Sequence, residues 1–169
     1  MSNLNEFVEI KGYPNYLINN LGEVFTKKYD RLLKNSVTHR GYLKVGLTNE
    51  DGLKYKLIHR LVYENFGKNW NPELSVDHID INPQNNCITN LRMATRQQQQ
   101  FNTRVRKTNK LQLKGVEQKS TNCFRARIVI DGKRTAIGYF KTKEEARQAY
   151  ETKAREMHGE YFCENNNII

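Results

Sequence analysis

The apolar residues of this 169-residue chain occur in short runs of three or four, separated by turn-forming residues. A transmembrane helix needs roughly 20 apolar residues, so these runs predict no membrane span. They favour short strands and helices that bury one face. With about 150 residues per domain as a guide, the chain has room for one ordinary domain or two or three small ones.

The amino-terminal residues MSNLNEFVEI lack the basic and then apolar segments of a signal peptide. We therefore expect an intracellular protein, located in a bacterial cytoplasm or a viral or host nucleic-acid compartment, that is not secreted. The three cysteines form no Cys-x-x-Cys pair and the four histidines show no zinc-helix spacing. A bound metal should therefore prefer oxygen ligands.

The formal net charge of +10 at pH 7 is concentrated in one stretch. Residues 92–119 contain eight basic residues and one acidic residue, Glu117. Such a basic segment is typical of proteins that bind a polyanion, although a solvated surface is the simpler interpretation.

Hydrophobic spacing predicts an α+β chain of antiparallel sheets and few helices. Residues 6–57 alternate short strands with turns, and a helix follows that ends at Gly67. Residues 76–102 predict a strand, a polar loop, a second strand and a helix capped by Thr95. Residues 115–140 predict three strands, and the pair Thr142 and Glu145 is a capping box that begins the last helix.

The second of these segments carries side chains suited to phosphodiester hydrolysis. His78 has the pKa range of a general base, and Asp77 is a hard oxygen ligand suited to Mg²⁺. The amide of Asn90, on the paired strand, is placed to brace the loop after Asp80 and to orient His78. Each residue alone is an ordinary loop or strand-end residue, and only the combination beside a basic segment favours a nuclease.

Three runs of sequence resemble known modules in a consistent order. Residues 76–86 with 90–96 resemble the HNH nuclease motif of the ββα-metal fold. Residues 10–24 are similar to the NUMOD4-like amino-terminal module of phage HNH homing endonucleases, and residues 59–62 also match that group. Residues 113–165 resemble an AP2 DNA-binding domain.

The resemblance implies a division of the chain into four segments. They are a NUMOD4-like module over 1–52, an HNH nuclease over 53–104, a basic linker over 105–112 and an AP2-like domain over 113–169. It also implies that His78 is the general base, Asn90 a catalytic brace and Asp77 a metal ligand. The second metal ligand aligns with Gln99, where the family commonly has Asn or His, and Asn102 is an alternative. The implied cofactor is one Mg²⁺ or Mn²⁺ ion, with no small-molecule cofactor.

The AP2-like segment implies a sheet that reads the major groove of double-stranded DNA. The expected groove-facing positions are Lys114, Glu117, Lys119, Arg125, Arg127, Val129, Arg134 and Ala136. Glu117, Val129 and Ala136 depart from the plant members, so a different sequence should be read. The full set of expected DNA-binding residues is Arg92, Arg96, Arg104, Arg106, Lys107, Lys114, Lys119, Arg125, Arg127 and Arg134.

The sequence thus predicts a site-specific HNH homing endonuclease, as a monomer that nicks or a homodimer that cuts both strands. The alternatives are a DNA-binding protein without catalysis, such as a regulator or a decayed homing enzyme, and an RNA-processing nuclease. His59 is expected to be structural.

Overall fold

The computed structural model of the chain describes residues 6–103, 105, 108–130 and 132–162. The chain divides into two compact units, residues 1–96 and 97–169. Both combine antiparallel sheets with short helices, in agreement with the predicted mixed class. Over the described ranges, every helix is too short or too polar to cross a membrane.

The first unit consists of a four-stranded sheet in the order β1-β2-β3-β4, a three-stranded sheet in the order β5-β6-β7, a helix and a hairpin formed by β8 and β9. Its elements are β1 (Val8–Ile10), β2 (Tyr13–Ile18), β3 (Val24–Thr26), β4 (Arg31–Leu32), β5 (Ser36–Val37), β6 (Leu43–Asn49), β7 (Gly52–Leu57), α1 (Ile58–Phe66), β8 (Ser75–His78) and β9 (Leu91–Ala94).

Helix α1 has the predicted position and termination. Its residues Ile58, Leu61 and Val62 recur at helical spacing and are buried. The backbone N–H of Gly67 donates to the carbonyl of Tyr63 at 2.8 Å and ends the helix.

One hydrophobic core joins the predicted amino-terminal module to the predicted nuclease segment. Ile10 and Val24 from the first sheet pack in the same cluster as Ile58 and Leu91. Gly22 permits this packing, because it adopts a φ of +88° and a Cβ there would lie 2.7 Å from the Ile58 Cγ2 atom. The expected boundary after residue 52 therefore falls between segments that share one core.

The second unit is a three-stranded antiparallel sheet covered by a helix, as the spacing predicts. Helix α2 (Arg96–Phe101) begins at the last residue of the first unit. The remaining elements are β10 (Val116–Ser120), β11 (Cys123–Ile130), β12 (Lys133–Phe140) and α3 (Lys143–His158). The capping box of Thr142 and Glu145 is present at the start of α3.

Alternation along β11 places Ala126 and Ile128 against Ala146, Tyr150 and Ala154. The register of β11 with β12 shifts between Ala126 and Arg127, so one extra residue is inserted in β12. Because of this bulge, the positions opposite Arg125, Arg127 and Val129 are Tyr139, Ala136 and Arg134.

The chain segment that precedes β10 packs against the second unit and is not an extended linker. In the predicted linker, Leu111 packs against the hydrophobic core of the second unit, and the Asn109 side-chain amide donates to the Leu113 carbonyl at 2.7 Å. Gly115 has a φ of +71°, and a Cβ there would lie 2.2 Å from the Tyr150 ring. Arg104, Arg106 and Lys107 lie outside the described residues.

Candidate functional site

The β8–β9 hairpin carries Asp77 and His78 at the end of its first strand. Asp77 is paired in register with Arg92, and His78 with Leu91. Val76 and Leu91 are both 5% exposed and anchor the hairpin in the first core. Both Asp77 and His78 are also buried, at 9% and 5% exposed. The apolar neighbours thus hold two ionisable side chains away from bulk water.

Asp77 forms a buried ion pair with Arg92. The Nε and Nη2 atoms of Arg92 donate to Asp77 Oδ2 at 3.1 and 3.0 Å, and each side chain is 11% exposed. The guanidinium offsets the cost of removing the carboxylate from water and fixes its orientation. Arg92, expected to contact DNA, therefore has its guanidinium engaged by the expected metal ligand.

The His78 ring is oriented by Asn86, which is 3% exposed. The Asn86 Nδ2 atom donates to the Gln84 carbonyl at 3.2 Å, so its Oδ1 atom faces His78 Nε2 at 3.2 Å. Because a carbonyl oxygen only accepts, this contact assigns the proton of neutral His78 to Nε2. Nδ1 is then the basic nitrogen of the ring.

Two aromatic side chains pack beside His78. The His59 ring lies 5.1 Å from the His78 ring, centroid to centroid, at an interplanar angle of 64°. Tyr42 lies 5.0 Å from His59 and 5.8 Å from His78. The Nδ1 atom of His59 is buried and has no hydrogen-bond partner among the described residues. We refer to Tyr42, His59, His78 and Asn86 as the histidine cluster.

Burial keeps both histidines of this cluster neutral. It lowers the pKa of His59 to about 3, and the neighbouring charges of His78 and Arg60 act in the same direction. Burial also lowers the pKa of His78, although the hydrogen bond with Asn86 and the carboxylates of Asp80 and Asp77 oppose it. At neutral pH, His78 is therefore unprotonated and able to accept a proton.

Asn90 braces the loop between the two strands. Its Oδ1 atom accepts from the Asp80 backbone N–H at 3.0 Å. Its Nδ2 atom donates to Asp80 Oδ1 at 2.9 Å and to the Asn85 carbonyl at 2.8 Å. Burial raises the pKa of Asp80, but hydrogen bonds from Asn85, Asn82 and Asn90 outweigh it and leave the pKa below its ordinary value. The loop after His78 is thus closed by hydrogen bonds on a charged carboxylate.

The remaining residues expected at the metal lie on or after α2. Gln99 is half-buried on this helix and belongs to the second unit, where Asn102 is 5% exposed. Arg96 is exposed at the first position of the helix. Among the described residues, no three His, Cys, Asp or Glu side chains cluster as ligands. A Mg²⁺ site of one carboxylate, one amide and solvent or phosphate oxygens requires no such cluster.

The second unit exposes a basic sheet face opposite α3. We define this basic face as the side chains of Glu117, Lys119, Arg125, Arg127, Arg134 and Tyr139. Lys119 and Arg134 are exposed, and Arg125 and Arg127 are about a quarter and a third exposed. Tyr139, which the sequence analysis did not select, lies opposite Arg125 and is 62% exposed.

Lys114 differs from its expected position on the groove-facing strand. The first strand begins at Val116, and the Lys114 Nζ atom donates to the carbonyls of Phe101 and Thr103 at 2.6 and 3.1 Å. These carbonyls lie at the end of α2, where a cation stabilises the terminal peptide groups. Its amino group is thus engaged within the unit.

The sequence analysis did not select Asn86 or Tyr42, and it assigned His59 only a structural role. Asn86 stands in an Asn-rich loop where spacing alone does not distinguish it from its neighbours. His59 begins the His-Arg-Leu-Val run on α1, but that run gives no indication of its distance from His78. Tyr42 is far from both in sequence, and only the tertiary fold brings it to them.

A family model described as HNH endonuclease matches residues 56–101. The chain is 40% identical to DNA endonuclease I-HmuI of Bacillus phage SP01 over 91 residues, which are 53% of this chain and 52% of that protein. It is 36% identical to H-N-H endonuclease F-TflI of Escherichia phage T5 over 108 residues, which are 62% and 53% of the two chains. The chain thus spans about half the length of these curated relatives.

A solved structure is similar to a larger part of the chain. It is described as DNA binding and cleavage by the HNH homing endonuclease I-HmuI, and it matches with a TM-score of 0.54 and 27% identity over 91% of both chains. The matched family segment contains the β8–β9 hairpin, Asp77, His78 and Asn90. From these matches and this hairpin, we conclude that residues 56–101 form an HNH endonuclease segment.

Proposed function

We propose that this protein is a homing-type endonuclease that hydrolyses phosphodiester bonds of double-stranded DNA with the help of one divalent metal ion. The observation that carries the proposal is the fixed, neutral imidazole of His78 next to the Asp77 carboxylate on one strand end. The relative whose structure is described as binding and cleaving DNA supports DNA as the substrate.

In this proposal, His78 is the general base. Asn86 retains the proton on Nε2, so Nδ1 takes the proton from the attacking water. The lowered pKa of His78 keeps this nitrogen unprotonated at neutral pH. Asn90 acts at a distance by holding the loop that carries Asp80 and Asn86, and thereby limits movement of the His78 ring.

The residues present fit a Mg²⁺ or Mn²⁺ ion by the chemistry of their donors. Asp77 would supply a carboxylate oxygen, and Gln99 would supply an amide oxygen at the helix position where the family commonly has an Asn or His ligand. When bound, the ion would polarise the scissile phosphate and stabilise the leaving oxygen. Arg92 would keep Asp77 oriented. Asn102 is the alternative ligand if the longer Gln99 side chain does not reach.

The segments have separate roles in the proposal. Residues 1–52 form a NUMOD4-like module, 53–104 the nuclease, 105–112 the basic linker and 113–169 an AP2-like domain that reads DNA. The reading residues are the cations of the basic face, with Arg96 and the linker cations on phosphates. A single motif per chain makes one cut, so a monomer nicks and only a dimer breaks both strands. The expected ends are a 5′-phosphate and a 3′-hydroxyl.

The test is nicking of supercoiled plasmid by the purified chain with Mg²⁺ or Mn²⁺. Replacement His78→Ala should lower the cleavage rate by about 10²- to 10⁴-fold, the usual contribution of a general base, and leave DNA affinity unchanged. Binding without nicking at any ion tested would favour the non-catalytic DNA-binding protein. Stronger competition by RNA than by duplex DNA would favour an RNA-processing enzyme.

The Gln99 assignment has a separate test. Gln99→Ala should raise the metal concentration needed for half-maximal nicking, and Gln99→Asn should restore it towards the wild-type value. Asn102→Ala, measured in the same assay, tests the alternative ligand. If only the Asn102 variant changes the metal requirement, Asn102 is the ligand.

A further inference from the structure

One carboxylate lies among the cations of the basic face, on the edge strand β10. Glu117 on β10 is paired in register with Arg125 on β11. Its Oε2 atom accepts from Arg125 Nη2 at 2.6 Å and lies 3.1 Å from Lys119 Nζ, and its Oε1 atom pairs with Arg127 Nη2. A single side chain therefore engages three of the cations expected to contact DNA.

Glu117 is ionised in this arrangement. Burial raises its pKa, but the hydrogen bonds from Arg125 and Lys119 and the charges of Arg127 and Arg125 outweigh burial and leave the pKa below its ordinary value. The Glu117 side chain is 29% exposed, so water screens its ion pairs only in part. The Arg125 Nε atom, by contrast, is buried and donates to no acceptor among the described residues.

The position of this carboxylate is unfavourable for plain phosphate binding. A polyanion is attracted by the cations of the face and repelled by Glu117. A protein with a neutral residue at this position would therefore bind DNA of any sequence more tightly. A carboxylate that contacts two guanidinium groups also restricts their rotamers. Side chains ordered before binding lose less entropy when they contact base edges. Both effects favour discrimination over affinity.

We propose that Glu117 is a specificity-determining residue of the basic face, which positions Arg125 and Arg127 for base contacts and weakens binding to non-target DNA. The inference rests on the proposed function, because it requires that the face bind duplex DNA. It gives a role to Glu117, which is the one acidic residue in the basic stretch 92–119.

The experiment compares the full-length wild type with Glu117→Gln, which removes the charge and keeps the size of the side chain. Each is first used to select preferred duplexes from a random pool, and its affinity is then measured on the wild-type site and on a scrambled duplex. We expect Glu117→Gln to bind the scrambled duplex several-fold more tightly and to lose about tenfold in discrimination, the scale of one base contact.

Glu156→Gln is the matched control. Glu156 is exposed on α3, where it pairs with Lys153, so its replacement changes the net charge equally without touching the basic face. Equal effects of Glu117→Gln and Glu156→Gln would overturn the inference, because they would show that only net charge matters.

Glu117→Asp separates charge from positioning, since it keeps the carboxylate and shortens its reach. We expect weak binding to scrambled DNA, as in the wild type, together with weaker binding to the selected site. Thermal melting of each variant reports whether it is folded. If Arg125→Ala and Arg127→Ala leave DNA binding unchanged, the DNA-reading part of the proposed function fails. If they weaken binding while Glu117→Gln matches the control, only this inference fails.

Discussion

The histidine cluster of the first unit, with its neighbour Asp77, and the basic face of the second unit both fix polar side chains, but they hold them by different means. Asp77, His78 and Asn86 are each at most 9% exposed and are fixed by hydrogen bonds and packing. The cations of the basic face remain accessible and are held by ion pairs to Glu117. A site for chemistry needs fixed groups in a dry environment, whereas a surface that binds a partner needs groups that water and the partner can reach.

The two regions should also differ in energy. The Asp77–Arg92 pair is 11% exposed on each side, whereas the three cations around Glu117 range from 25% to 42%. Removing one member of a buried pair leaves a charge without compensation, but solvent compensates most of the loss at a surface. The predictions below test this difference.

The largest expected effect is on the buried ion pair. Arg92→Met should lower the free energy of unfolding by about 3 kcal/mol, because the Asp77 carboxylate is left buried without its cation. The control Arg134→Met, at an exposed position of β12, should change it by less than about 0.5 kcal/mol. Chemical denaturation of both full-length variants measures the difference, and equal losses would contradict the contrast between the regions.

The pH dependence of stability tests the histidine cluster. His59 has a folded-state pKa of about 3, against 6.5 for an ordinary histidine, so the unfolded chain binds the additional proton. The free energy of unfolding should therefore fall as pH drops below 6.5, by about 2 kcal/mol between pH 6.5 and 4.5. His59→Phe should remove this contribution to the slope. An unchanged slope in the variant would show that His59 has the same pKa in the folded and the unfolded protein.

Arg125 tests the specificity of the basic face. Arg125→Ala should relax sequence preference by roughly 1 to 3 kcal/mol at one position of the selected site, since a guanidinium contact to a base edge is lost. Competition between the selected duplex and single-base variants measures the effect. Equal weakening on all duplexes would indicate that Arg125 contacts phosphates.

The smallest expected effect is electrostatic. Arg96→Ala should weaken binding similarly on all duplexes and reduce the slope of log affinity against log salt by about 1, as for one lost phosphate contact. His78→Ala, in the histidine cluster, should leave the slope unchanged. A reduced slope in the His78 variant would place the histidine cluster in direct electrostatic contact with the DNA backbone.

Local pattern predicted the elements of this chain well. The strand pair around the polar loop, the helix that ends at Gly67 and the capped last helix follow from apolar spacing, a terminating glycine and a capping box. These signals act between residues close in sequence. The loop between β8 and β9 also made the contact of Asn90 with Asp80 foreseeable, because the two residues stand near its opposite ends.

Contacts between distant segments were not foreseeable in the same way. Tyr42 and His59 reach His78 only because β6, α1 and β8 pack on one core, and Lys114 binds the end of α2 rather than lying on the sheet face. Arg92 had the same charge as the expected DNA contacts, and only its register opposite Asp77 assigns it to that carboxylate.

The sequence by itself determined the order of the elements, the concentration of positive charge and the adjacency of a carboxylate and an imidazole on one strand, because these depend on local spacing and composition. The tertiary structure decided which nitrogen of His78 is basic, which cation neutralises Asp77 and which carboxylate restrains Arg125 and Arg127. Those outcomes depend on side-chain distances across strands and on burial, which the linear order of residues does not specify.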